Sequence, residues 1–310
     1  MSFRIFIEPQ QGASYERVLR LARHGESLGY DGFFSSDHYL KMSPVSGLPG
    51  PLDTWTTMAG LARDTTELRL GSLVTPVTFR NPGPLAIAVA QIDDMSGGRV
   101  ELGMGAGWFD AEHRAYGIAF PPIGIRHRML EEQLAIITGL WRTPEGETFD
   151  FEGEHYQVSS SPALPKTHQR PTVPIIVGGK GHLRTPRLAA TYADEFNMSF
   201  PSADDFAQQV NRVRAACDAR GRDPDSLVYS CALVVCCGAT EAEFVRRAHA
   251  MDREPETLRG PGGLAGLPHE LIDTLAVYRA AGAERIYLQT LNIDDLEQLD
   301  LIAAEVVPHF

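Results

Sequence analysis

Clustered lysine and arginine are missing from this 310-residue chain, whose formal net charge is −12. A phosphate backbone is gripped by grouped cations, so a nucleic-acid partner is excluded, and the acidic surface serves solubility. No apolar run approaches the length of a membrane span. The opening MSFRIFIEPQQGASYE has neither the apolar core nor the small-residue cleavage site of a signal peptide, so a cytoplasmic location is expected. Cysteine is scarce. Cys217, Cys231, Cys236 and Cys237 show no CxxC spacing, which excludes a disulfide or zinc framework and predicts buried, reduced thiols. Low-complexity linkers are also absent, and 43% hydrophobic content suffices for one large core, so residues 1–310 are expected to form a single domain. Two kinds of hydrolase drop out as well. The G-x-S-x-G elbow of a serine hydrolase is missing, and the ten histidines are scattered with no early His-x-His for a metal.

What is present is an alternation of apolar runs and amphipathic segments. The runs at 3–9, 32–37, 68–76, 99–107, 173–179, 195–200, 227–238 and 285–290 read as strands, most followed by a helical pattern. Asn81-Pro82 opens one helix, with proline near its first turn; another is expected around 126–142. Two excursions interrupt the pattern: 143–172, suited to a hairpin, and the Gly/Pro-rich 254–268, expected as a loop. Continuous apolar strands are those of a parallel sheet covered on both faces. Eight such units predict a (β/α)8 TIM barrel. A doubly wound sheet would carry a glycine-rich turn after its first strand, where this chain has EPQQGAS.

Barrels of this kind keep their chemistry at the C-terminal strand ends. Those ends here are Glu8, Ser36-Asp37-His38, Leu73 to Thr75, Gly103 to Gly107, Gly178 to Gly181, Asn197 with Ser199, and Gln289 with Thr290. The runs GMGAG and GGKG allow close backbone approach to a ligand, and Lys180 followed by a helix start suits a phosphate. His38 can exchange a proton near neutral pH. Asp37, one residue earlier on a strand, points to the opposite face and orients the loop. The plainer alternative for this pair is a hydrogen-bonded loop brace.

Four ordered stretches, GYDGFFSSDHY (29–39), LRLGSLVTPVTFRNPG (68–83), MSGGRVELGMGAGWFDAEHRAYG (95–117) and PIIVGGKGHLRTPRLAATYADEFN (174–197), resemble the luciferase-like monooxygenase superfamily, and within it the coenzyme F420-dependent branch. The resemblance implies a flavin-type cofactor across the barrel mouth. His38 and Asp37 would be catalytic. Ser36, Ser72, Leu73, Val74, Thr75, Gly105, Ala106 and Gly107 would surround the cofactor, with its phosphate on Gly178, Gly179, Lys180 and Gly181. It also implies a non-proline cis peptide within Ser72-Leu73-Val74. The chain departs from F420-dependent sugar-phosphate relatives at two places. Trp108 stands where they carry Glu, and Met42 where they carry Trp, so that substrate is not expected; Trp108 and Phe109 suggest an aromatic wall instead. The resulting expectation is an F420-dependent oxidoreductase, a homodimer by the same resemblance, acting on a small neutral or weakly charged organic molecule. The alternatives are an FMN-dependent monooxygenase served by a partner reductase, and a non-catalytic flavin-binding barrel.

Overall fold

The computed structural model describes residues 1–42 and 44–310. The strands are β1 (Ser2–Ile7), β2 (Gly32–Ser35), β3 (Arg69–Ser72), β4 (Thr75–Pro76), β5 (Val100–Gly105), β6 (Phe149–Glu152), β7 (Gln157–Ser161), β8 (Ile175–Gly178), β9 (Glu195–Ser199), β10 (Val228–Cys237), β11 (Gly263–Gly266) and β12 (Arg285–Gln289). The helices are α1 (Tyr15–Ser27), α2 (Thr54–Asp64), α3 (Pro82–Ser96), α4 (Asp110–Tyr116), α5 (Ile123–Arg142), α6 (Arg184–Tyr192), α7 (Ala203–Asp218), α8 (Glu241–Ala250), α9 (Pro255–Leu258), α10 (Pro268–Ala280) and α11 (Leu296–Glu305).

Parallel pairing runs β10-β12-β1-β2-β3-β5-β8-β9, and β9 pairs back onto β10 to close a (β/α)8 barrel. Strand β4 continues the β3 stave after a break. Gly71 pairs with Glu101 and Thr75 with Met104, so this stave carries one residue more than its neighbour and bulges between. The Leu73–Val74 peptide in that bulge is cis. The excursion at 143–172 holds the antiparallel β6–β7 hairpin. Glu132 on α5 ties it down by accepting the backbone N–H groups of Glu154, His155 and Tyr156, each at 3.0 Å.

Two expectations need correction. The segment 254–268 is not irregular: it forms α9 and β11, and β11 pairs with the end of β10. Phe200 N–H takes Ala232 O and Val234 N–H takes Gly262 O, so β11 occupies the edge that β9 vacates, and the ladder stays satisfied. A second helix, α4, also precedes the expected one at α5, between the β5 glycines and the turn that ends in Pro121-Pro122 before Ile123.

The main core lies between barrel and helices. Inside the barrel a smaller apolar layer forms from Phe6, Phe34, Leu73, Ile176, Ala232 and Tyr287. Beneath it sits an ionic plug. Arg4, fully buried, donates to Glu101 at 2.6 and 2.9 Å and to Asp31 at 2.6 Å, while Tyr287 donates to Glu195 at 2.8 Å. Polar side chains at this depth are costly unless paired, and these are paired several times over. The barrel interior below the apolar layer is therefore filled by paired charges, and the strand ends beyond that layer form the C-terminal mouth. All four cysteines are free and buried. Among the described residues no helix is long and apolar enough to cross a membrane.

Candidate active site at the barrel mouth

Beyond β2 the alternation of a strand continues for three residues, sending Ser36, Asp37 and His38 to different partners. Asp37 is fully buried on the outer side and receives both arms of the Arg80 guanidinium, one of them at 3.3 Å. Arg80 also donates to Asp53 and, at 3.0 Å, to the Tyr39 hydroxyl, which itself donates to Asp53 at 2.8 Å. Asp53 caps α2 through the Thr56 N–H at 2.9 Å, so the clamp locks the long β2–α2 loop to a helix start. Burial pushes the Asp37 carboxyl above its ordinary range against the pull of Arg80. Burial also opposes charge on Arg80, but Asp37 and Asp53 outweigh it and raise its pKa. Asp37, expected as catalytic beside His38, is paired with Arg80 and shares no hydrogen bond with His38.

His38 has a side chain only 13% exposed, and its Nδ1 lies 2.8 Å from Glu112 Oε1. The other oxygen of Glu112 accepts the Tyr39 backbone N–H at 3.0 Å, and the carboxylate is 1% exposed. Glu112 sits on α4, the helix that periodicity did not reveal. A seven-residue helix offers too few turns for an apolar stripe to register. Its charge pattern was the available signal: Asp110 and Glu112 stand at its start, Arg114 near its end, and Gly117 just beyond in a left-handed conformation. The aromatic wall is present. Trp108, 66% exposed, and Phe109 stack on each other at 5.2 Å and meet the His38 ring edge-on at 5.8 and 6.2 Å.

The other predicted residues divide into two groups. Ser72 and Thr75 are buried in a relay, Trp55 Nε1 to Thr75 Oγ1 to Ser72 Oγ to Gly103 O, each step 3.0 Å. Ser36 is buried too, and its hydroxyl meets Gln10 Oε1 at 2.8 Å. The Ser72–Thr75 relay supports the bulge from behind. In front stands Val74, partly buried and packed on the interior layer. A methyl added at Gly105 would lie 2.8 Å from Val74 Cγ2, and one at Gly178 3.1 Å from its Cγ1. The two glycines therefore make the seat for Val74 as it projects over the barrel axis. Ala106 and Gly107 are held through their carbonyls by Arg126, at 2.9 and 3.4 Å.

In the GGKG turn, Gly179 has a φ of 145°, and its N–H is taken by Asn197 O at 3.2 Å. Gly181 O accepts from Gln209 at 2.9 Å. A methyl at Gly179 or Gly181 would press on the Thr185 hydroxyl, at 3.2 or 2.8 Å. Lys180 is exposed, and α6 begins with no side-chain cap, leaving its first amides open to an anion. Positive charge is concentrated here. Burial first, then Arg184 and Arg126, push His127 below its ordinary value. By contrast, a cavity of about 730 Å³ opens at the opposite end of the barrel, lined by Met1, Arg214, Arg279 and Arg285 among others, and none of the strand-end residues borders it.

A closed parallel (β/α)8 barrel with a braced histidine, an apolar bulge and a glycine turn gathered at its C-terminal mouth is the architecture these residues define. The comparisons give the family: the luciferase-like monooxygenase model matches residues 1–306, and the chain belongs to that family. Relatives include an F420-dependent glucose-6-phosphate dehydrogenase of Nakamurella multipartita, 33% identical over 178 residues, which are 57% of this chain and 50% of that protein. An FMNH2-dependent dimethylsulfone monooxygenase of Pseudomonas putida is 26% identical over 202 residues, 65% of this chain and 53% of that protein. The chain thus aligns with about half the length of each. An F420-dependent secondary alcohol dehydrogenase, solved with an F420-acetone adduct, superposes with a TM-score of 0.85 over 99% of this chain and 98% of that one, at 18% identity. Both deazaflavin-dependent and flavin-dependent enzymes are therefore similar to this chain.

Proposed function

We propose that this chain is an F420-dependent oxidoreductase that moves a hydride between the deazaflavin and a small organic substrate, with His38 handling the accompanying proton. The observation that carries the proposal is the largely buried His38 imidazole, braced by Glu112 at the same mouth as the Val74 bulge. The residues fit a flavin-type group. The Gly105 and Gly178 seat pushes an apolar backbone bulge toward the mouth, where a flat ring can rest, and Lys180 with the uncapped start of α6 suits its phosphate. When bound, the deazaflavin supplies the hydride chemistry. The chain's part is to orient, to exclude water and to hold the proton at His38 Nε2. Trp108 and Phe109 favour an apolar or aromatic substrate face over a sugar phosphate.

The F420-dependent relatives support this cofactor. The FMNH2-dependent relative supports a second reading, reduced-FMN monooxygenation with a separate reductase, on the same fold and phosphate turn. A homodimer, a single domain and a cytoplasmic location belong to the same proposal. The test is His38→Ala, assayed with oxidised and reduced F420 against a panel of small alcohols, ketones and enones. Turnover should fall by about 100-fold or more with cofactor affinity within about threefold. Unchanged turnover contradicts the role of His38, and cofactor binding without turnover of any panel member by the unaltered protein points to a carrier.

A further inference from the structure

Glu112 reaches His38 from a different βα unit, and its two oxygens are committed differently. Oε2 accepts the Tyr39 peptide N–H, an obligatory donor that leaves no choice of role. Oε1 faces His38 Nδ1 at 2.8 Å. An ionised carboxylate offers only acceptors, so the ring nitrogen against it must carry the hydrogen. In neutral imidazole the other nitrogen then holds a lone pair. Nε2 has no hydrogen-bond partner among the described residues. The remaining charged groups nearby, Asp37, Arg80 and Asp53, are engaged with one another on the outer side of the strand end, and the inner neighbours of the ring are Trp108 and Phe109.

We infer that Glu112 is a positioning residue that locks His38 as the Nδ1–H tautomer and presents the Nε2 lone pair to the mouth as a proton acceptor. Taken with the proton role proposed above, on which this consequence rests, neutral His38 takes a proton from an O–H or N–H of the bound ligand. That bond breaks, a new N–H bond forms on Nε2, and the positive charge created lies against the Glu112 carboxylate. The electron pair of the broken bond stays on the ligand. The wrong tautomer of a catalytic histidine is expensive: in the serine-protease triad it costs about 10⁴-fold in turnover.

Glu112→Gln tests this with an isosteric change. The Tyr39 N–H can be met only by the glutamine carbonyl, which turns the side-chain NH2 toward Nδ1. Nδ1 must then accept, and the hydrogen moves to Nε2. Proton-coupled ¹⁵N spectra of the full-length, histidine-labelled protein report the tautomer without cofactor or substrate, with the His38 signals identified by their loss in His38→Ala. The expected result is a protonated Nδ1 and pyridine-type Nε2 in the unaltered protein, exchanged in Glu112→Gln. A protonated Nε2 in the unaltered protein overturns the inference, and that spectrum decides even if the variant does not fold. An unchanged pattern in a folded Glu112→Gln overturns it as well. Because the readout needs no turnover, it stands or falls apart from the cofactor assignment.

Discussion

Gly105 shows how one missing methyl group shapes the mouth. Its absent side chain leaves the space that Val74 fills, and alanine there would bring a methyl to 2.8 Å from Val74 Cγ2. Overpacking of this kind costs about 1–3 kcal/mol, but the local consequence matters more, because the bulge must shift. Gly105→Ala is therefore expected to weaken cofactor binding by about tenfold or more while the protein still folds. A fluorescence titration read beside a urea unfolding curve measures both effects. Equal cofactor affinity in the variant would mean that the bulge does not bear on the ring. At this scale the sequence was legible in kind but not in detail. GMGAG and GGKG announced close backbone approach, yet only coordinates separate Gly105, which seats a side chain, from Gly179, whose φ of 145° demands glycine. Ser72, Thr75 and Ser36 were expected around the cofactor from the family resemblance. Their hydroxyls hydrogen-bond one another, Gly103 O and Gln10. Gln10, Arg80 and Glu112 were missed because their partners lie 26, 43 and 74 residues away in the chain, beyond any local pattern.

Among the elements, the β2–α2 loop depends on a clamp of four side chains, Asp37, Tyr39, Asp53 and Arg80. Removing Arg80 leaves Asp37 as a buried charge without its counterion. Loss of one partner from a buried pair costs about 3–5 kcal/mol, while replacing both partners by apolar groups costs far less. Arg80→Met should accordingly lower the urea midpoint markedly, and Asp37→Leu with Arg80→Met should recover part of the loss. A double variant no better than the single one would show that the clamp matters through Asp53 and Tyr39 instead. The barrel strands were readable because a stave buried on both faces is a continuous apolar run whatever its neighbours do. Helix α4 and strand β11 were not. One is a single short amphipathic piece; the other, GLAG, is half glycine and is held in place by the end of β10 rather than by its own propensity.

For the whole molecule, the ionic plug links stability to acid. Burial would raise the Glu101 carboxyl, but Arg4, then Arg69 and Arg285, outweigh it and hold the group down to about 2, below its ordinary 4.5. A depressed carboxylate stabilises the fold fully above its unfolded value and loses that contribution as pH falls through the folded one. The acid limb of stability should therefore descend between roughly pH 4.5 and 2. Glu101→Gln should flatten that limb and lower stability at neutral pH, since Arg4 loses one buried carboxylate while keeping Asp31 and the more distant Glu195. Urea midpoints measured across that range check both signs, and an unchanged limb would remove Glu101 as its source. The plug also divides the barrel: paired charges fill its interior, and His38, Val74 and the glycine turn lie at the C-terminal end, where the proposed function places the ligand. The central claim is that this mouth is shaped for a deazaflavin, and one binding experiment addresses it most directly. With F420 and FMN titrated side by side, each in both redox states, into the same preparation, the account predicts tighter binding of F420. Tighter binding of reduced FMN than of either form of F420 would contradict it.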